Sequence, residues 1–152
     1  MRLWRICKAR HAAAAFTGAG TLLYTGRWNP VGVRMVYTST SLALAAVELF
    51  VHLDPASAPR DLVSVQTHIP NGISLERIEV SSLPADWKTV GRDDLQSIGA
   101  AWIASGRSAA LQVPSAAIAG EWNVLLNPAH PEFSKIRIDP AHTFIFDSRM
   151  FK

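Results

Sequence analysis

Apolar positions recur along this chain with two different spacings. Val63, Val65, Thr67 and Ile69 alternate with Ser64, Gln66 and His68, and a period of two predicts a strand with one face buried. Leu42, Ala45, Ala46, Leu49, Phe50 and Leu53 instead fall at i, i+3, i+4, i+7, i+8 and i+11, the stripe of a helix. Ser39, Thr40 and Ser41 offer hydroxyls to cap its start, and Pro55 and Pro59 are expected to end it, with an exposed loop between them. Its other face carries Leu44, Val47 and Val51. A helix apolar nearly all round is expected to be buried.

The remaining elements follow from shorter signals. Residues 2–6 alternate around Trp4 and predict a first strand. The alanines of residues 11–16 favour a short helix, which Gly18-Ala19-Gly20 is expected to break. Residues 26–32, with Asn29-Pro30 inside them, predict a loop, and residues 33–38 a strand. Pro70-Asn71-Gly72 predicts a turn, with extended chain over residues 73–80. A second helix is predicted from Asp93, with Leu95, Ile98, Gly99, Trp102 and Ile103 on one face and Gly106 at the C-cap position. Residues 109–113 and 122–126 predict buried strands, joined through a turn at Pro114-Ser115. Asn127 to Pro131 predicts another rigid turn, and residues 136–138 and 143–146 the last strands. With no repeat or linker in sight, residues 1–152 are read as a single mixed α+β domain, richer in strands than in helices.

Composition narrows the class. Apolar residues make up 49% and charged residues 18%, which predicts a packed core rather than disorder. No apolar run reaches the roughly 18 residues of a membrane span, and charge interrupts the start too often for a signal peptide, so a cytoplasmic protein without membrane contact is expected. A lone cysteine, Cys7, excludes an internal disulfide and a multi-cysteine metal site; it is expected to be a small buried side chain in the first strand. Lys and Arg number 15 against 12 Asp and Glu, a net charge of +3. This mild excess favours anionic ligands or an acidic partner, but the basic residues are too scattered for a nucleic-acid patch. Five tryptophans predict a well-packed core with some ring faces left for a ligand.

Candidate chemistry concentrates between Gly26 and Glu48. Glu48 sits on the apolar helix with no Lys or Arg three or four residues away. A buried carboxylate needs a partner, so either a structural bridge to an arginine such as Arg5 or Arg34, or a functional role, is expected. Arg27 lies in a glycine- and asparagine-containing loop. It is either a solvated or Trp28-stacked side chain or a fork for phosphate or carboxylate. Tyr37 ends a strand, as a core tyrosine or a platform for a flat ligand. Ser115 follows a proline, either as a turn residue or with its hydroxyl in a cleft. The five histidines lack ligand spacing, so no metal site is expected, and dinucleotide and P-loop fingerprints are absent.

Taken in order, these residues resemble a known family. Arg5, Gly18-Ala19-Gly20, Gly26-Arg27-Trp28-Asn29-Pro30-Val31-Gly32, Val36-Tyr37 and Leu44-Ala45-Ala46-Val47-Glu48 look like the N-terminal half of the RES domain. Leu83-Pro84, Trp87, Gly99-Ala100-Ala101-Trp102, Leu111-Gln112-Val113-Pro114-Ser115-Ala116, Glu121-Trp122-Asn123, Leu126-Asn127-Pro128-Ala129-His130-Pro131 and Phe146-Asp147-Ser148-Arg149 look like the second. Thr25 departs from the glycine often found there. The resemblance implies the toxin of a bacterial toxin–antitoxin pair, with a fold similar to ADP-ribosyltransferase toxins. It implies a tight complex with an Xre-like antitoxin, and DNA reached only through that partner. It further implies that NAD+ is a substrate rather than a bound cofactor, with no prosthetic group. Arg27, Tyr37, Glu48 and Ser115 would be its catalytic residues, and Gly26, Trp28, Asn29 and Asn123 would lie near the ligand. NAD+ cleavage that depletes the cell is the expected activity. ADP-ribosyl transfer to a protein, phosphorolysis, or a non-enzymatic binding role in an antitoxin–DNA complex are the alternatives.

Overall fold

The computed structural model describes residues 1–54, 59–89 and 91–151. Among these, eight strands join one sheet: β1 (Arg2–Lys8), β2 (Val36–Ser39), β3 (Leu62–His68), β4 (Leu75–Arg77), β5 (Ala110–Pro114), β6 (Trp122–Leu126), β7 (Arg137–Ile138) and β8 (His142–Phe144). Their order is β4-β5-β6-β2-β1-β3-β7, with β8 also on β3. Only β4–β5 is a parallel pair; the other pairings are antiparallel. Three helices, α1 (Ala19–Leu23), α2 (Leu42–Phe50) and α3 (Asp93–Ser105), complete an α+β architecture, as the spacing of apolar residues predicts.

Strand alternation sorts the core onto two faces. Val36, Ala110, Val124 and Leu126 join Leu3, Phe16 and Val65 in one cluster. Their strand neighbours Met35, Leu111, Val113 and Leu125 join Trp28, Leu95 and Trp102 in the other. The second face is covered by α3, and Gly99 lets it approach closely: a Cβ there would lie 1.8 Å from the Trp28 carbonyl oxygen. Gly106 ends α3 at φ 58°, the left-handed C-cap that its position predicts.

The sheet is nearly split in its middle. β1 pairs with β3 along its whole length, from Arg2 opposite His68 to Lys8 opposite Leu62. With β2 it pairs only where Trp4 faces Ser39. Beyond that point the strands part, and Arg5 Nη1 donates to the Tyr37 carbonyl at 2.9 Å across the gap.

Several elements differ from the sequence-based expectations. The short helix expected over 11–16 is a 3-10 helix over residues 9–14, and Gly18 (φ 71°) starts α1 instead of only breaking a helix. β2 begins at Val36, not at residue 33. Only Leu75–Arg77 of residues 73–80 pairs as a strand. The final strand is His142–Phe144. Helix α2 ends at Phe50, and only Leu44 and Ala45 within it are buried; Val51, just past its end, is 57% exposed. The expectation of burial all round fails because α2 lays one face on the sheet and turns Glu48 and Leu49 toward an open cleft. The expected stop at Pro55 lies outside the described residues. Cys7 is in β1, half-buried against the core, and burial pushes its thiol up.

Candidate active site

A cleft of about 920 Å³ opens where β1 and β2 separate. The loop before β2, the C-terminal half of α2, the end of β5 and the start of β6 line it. Among the described residues lining it, Glu48 is the only carboxylate, and Arg5, Arg27 and Lys88 share the lining with it.

Glu48 is held by neutral donors. Ser115 Oγ donates to its Oε1 at 2.6 Å, and Asn123 Nδ2 donates to the same oxygen at 2.5 Å. Oε2 has no hydrogen-bond partner among the described residues. The expected bridge to Arg5 or Arg34 is absent: Arg5 reaches the Tyr37 carbonyl, and Arg34 donates to the Thr17 carbonyl at 3.1 Å. A buried Ser and a half-buried Asn donor can stabilise a carboxylate without a counter-ion, which leaves its charge available to a ligand.

Ser115 sits behind Glu48 rather than on the cleft wall, at 2% exposure. Its hydroxyl donates to Glu48 and accepts from the Ala117 and Ile118 N–H groups at 3.2 and 3.0 Å. A hydroxyl has one donor and two acceptor sites, so Ser115 is saturated. Its role in this geometry is to orient the carboxylate. Asn123 lies directly opposite Ser39 on β2, and its Oδ1 accepts from Ser39 Oγ at 2.7 Å.

The Gly26–Asn29 loop forms the facing wall. Tyr37 donates its hydroxyl to Asn29 Oδ1 at 2.7 Å and accepts from the Trp28 N–H at 3.0 Å. Asn29 is fully buried, and its amide donates to the Tyr24 and Pro30 carbonyls, each at 3.0 Å. Gly26 fits because it lacks a side chain: a Cβ would lie 2.5 Å from Asn29 Oδ1 and 2.6 Å from the Tyr37 hydroxyl. Burial raises the Tyr37 hydroxyl well above its ordinary pKa, so it stays a neutral fastener. Trp28, 2% exposed, packs with Trp87 and Trp102. Trp28 and Asn29 therefore build the wall more than they offer atoms from it.

Arg27 is half-buried and tied to the loop around Trp87 rather than stacked on Trp28. Its Nη1 donates to the Trp87 and Thr89 carbonyls at 3.0 and 3.2 Å, and its guanidinium carbon lies 6.0 Å from the Trp87 ring centre. Nη2 and Nε have no partner among the described residues, so the fork keeps donors for an anion. Gln96 on α3 fastens the same loop by donating to the Gly26 carbonyl at 3.1 Å.

Arg5, expected as a possible bridge and named first in the family resemblance, lines the cleft, and its Nε is buried with no hydrogen-bond partner among the described residues. Burial pushes its pKa down. Lys88 and Gln96, also on the wall, carry no local sequence signal. Ser39 looked like one of three cap hydroxyls, whereas the cap is Ser41, which accepts from the Leu44 N–H at 3.0 Å. Only the register of β2 on β6 reveals what Ser39 does. Among the described residues there is no cluster of three or more metal-ligating side chains, and no helix is long and apolar enough to cross a membrane.

Proteins of known family share the sequence and the fold of this chain. A protein from Sphingobium sp. (strain YBL2) named Prs ADP-ribosylating toxin is 37% identical over 98% of this chain and 96% of its own. A protein from Photorhabdus laumondii subsp. laumondii named Toxin Res is 34% identical over 100% of this chain and 98% of its own. At 15% identity, a chain from the crystal structure of the M. tuberculosis MbcT-MbcA toxin-antitoxin complex shares the fold with a TM-score of 0.72, over 99% of this chain and 86% of that one. Residues 2–147 match the RES domain; the chain belongs to the RES domain family, whose members named here are toxins.

Proposed function

We propose that the cleft binds NAD+ and that the chain is a toxin that breaks the bond between nicotinamide and ribose. The observation that carries this reading is the pairing of one carboxylate, with an unpartnered oxygen, against a guanidinium with unpartnered nitrogens in one cleft. A dinucleotide presents complementary groups: a negative diphosphate and a ribose that becomes positive as the bond breaks. Cleavage passes through an oxocarbenium-like transition state. Nicotinamide is cationic in NAD+ and leaves neutral, so no general acid is required. Glu48 accepts a hydrogen bond from a ribose hydroxyl and stabilises the developing charge. Arg27 holds the diphosphate, and the Tyr37 ring positions the nicotinamide. Ser115 acts through Glu48.

The acceptor of the ADP-ribosyl group sets the outcome. Water gives NAD+ hydrolysis and loss of the cellular pool, our first reading. The name of the Sphingobium relative supports a second, transfer to a protein. A toxin of this kind works in the cytoplasm, where NAD+ is abundant, and must be held inactive until released. We therefore expect a tight complex with an Xre-like antitoxin that covers the cleft and supplies any contact with DNA. The test is incubation with NAD+, with and without phosphate and candidate proteins, and identification of every product by mass spectrometry. Nicotinamide with ADP-ribose indicates water. Nicotinamide with a phosphorylated ADP-ribose indicates phosphate, and a labelled protein indicates transfer. Intact NAD+ throughout contradicts the reading.

A further inference from the structure

We propose that Ser39 is a positioning residue for Glu48, acting through the side-chain amide of Asn123. The inference rests on Glu48 being the carboxylate that meets the substrate. Ser39 is 4% exposed, and its hydroxyl is not used to cap α2, a role that Ser41 fills. It donates instead to Asn123 Oδ1 at 2.7 Å, while Asn123 Nδ2 donates to Glu48 Oε1 at 2.5 Å.

The final torsion of an asparagine is soft, so the amide plane is fixed only by what binds its two ends. Glu48 holds one end and Ser39 the other. Without the Ser39 hydroxyl, Oδ1 of the half-buried Asn123 is left with no donor among the described residues, and a partly desolvated acceptor left alone is unfavourable. The amide then turns to recover a partner and draws Nδ2 away from Glu48. Ser39 itself is held rigidly, since its neighbours Thr38 and Thr40 donate to the Val124 and Trp122 carbonyls at 2.6 and 3.0 Å. Three consecutive hydroxyls thus stitch the end of β2 to β6.

The chain Ser39–Asn123–Glu48 also accounts for the asymmetry of the carboxylate. Ser115 and Asn123 both bind Oε1, which fixes the carboxylate plane and leaves Oε2 for the ligand. A carboxylate held through one oxygen by two rigid donors is preorganised, and preorganisation is where an electrostatic stabiliser gains its advantage. A loosened amide lowers turnover more than it weakens binding, because the diphosphate end of the cleft is untouched.

The test has two readouts. In NMR spectra, the Asn123 side-chain amide protons should be shifted and protected in the wild type and in Ser39→Thr, and should lose both properties in Ser39→Ala. In the nicotinamide-release assay, Ser39→Ala should lower kcat about tenfold, the size of one hydrogen bond, with KM for NAD+ within about twofold. Ser39→Thr should restore the rate, and Ser39→Ala should have no further effect in an Asn123→Ala background. Unchanged Asn123 amide signals in Ser39→Ala overturn the proposal, as do losses in the two variants that simply multiply. If the wild type releases no nicotinamide, the NAD+ reading falls, and the amide signals still decide whether Ser39 positions Asn123.

Discussion

The two walls of the cleft are built in opposite ways. The Arg27 wall is largely local: Tyr37 reaches Asn29 eight residues away and Trp28 nine away, and the loop closes on itself through the Gly26 N–H and the Asn29 carbonyl. The Glu48 wall is assembled from distant segments. Ser115 is 67 residues from Glu48, Asn123 is 75 away, and Ser39 is 84 from Asn123. Both obey one rule: the neutral polar groups satisfy one another, and each charged residue keeps an unpartnered end for the ligand. The difference is in what each wall depends on. The loop can hold its form through short-range contacts, whereas the carboxylate is in place only when β2, β5 and β6 are paired in register.

The contrast predicts which substitutions break which function. Glu48→Gln keeps the shape of the site but removes its charge, and it should lower kcat for nicotinamide release by about 10²–10³ with little change in melting temperature; steady-state kinetics and a thermal melt read both. Gly26→Ala strikes the other wall. Its Cβ meets Asn29 Oδ1 and the Tyr37 hydroxyl at 2.5 and 2.6 Å, and overpacking of this kind costs about 1–3 kcal/mol. Denaturant unfolding should show that loss, with a raised KM for NAD+ and a smaller change in kcat. Ser115→Ala takes one donor from Glu48 and leaves two N–H groups unpaired. It should reduce kcat by about tenfold without raising KM, placing Ser115 on the turnover side of the comparison.

The smallest effect lies outside both walls. Ser74 donates its hydroxyl and its N–H to Glu132, and these bonds hold the Glu132 carboxyl at about 2, below its ordinary 4.5. A depressed carboxyl pKa stabilises the fold above the unfolded value and loses that contribution as pH falls through the folded one. Stability should therefore decline between about pH 4.5 and 2, and Glu132→Gln should flatten that part of the profile in denaturant melts. If either wall rather than Glu132 dominates acid stability, the variant and the wild type will follow the same curve.

How much was legible in the sequence follows the same division. Strand β3, helix α3 and its Gly106 cap could be read from period and end signals, because those depend on neighbours a few residues apart. The residues of the Gly26–Tyr37 stretch could be picked out for the same reason, although not the use of the Arg27 Nη1 on the Trp87 carbonyl 60 residues away. Burial of α2 was misread because an apolar face that lines a cleft has the same sequence as one that lines a core. The roles of Ser39 and Ser115 were hidden for a different reason. A serine beside a helix start and a serine after a proline have ordinary local explanations, and only strand register and long-range hydrogen bonds replace them. Arg5, alternating within a first strand, gave no sign that β1 and β2 part beside it.

In the proposed reading one ligand spans both walls, with its diphosphate at Arg27 and its ribose at Glu48. A crystal structure of the Glu48→Gln variant grown with NAD+ tests this most directly. The expected result is an intact dinucleotide in the cleft, with phosphate oxygens within hydrogen-bond distance of Arg27 and a ribose hydroxyl at residue 48. NAD+ bound elsewhere, or bound in the cleft with its ribose turned away from residue 48, would contradict it.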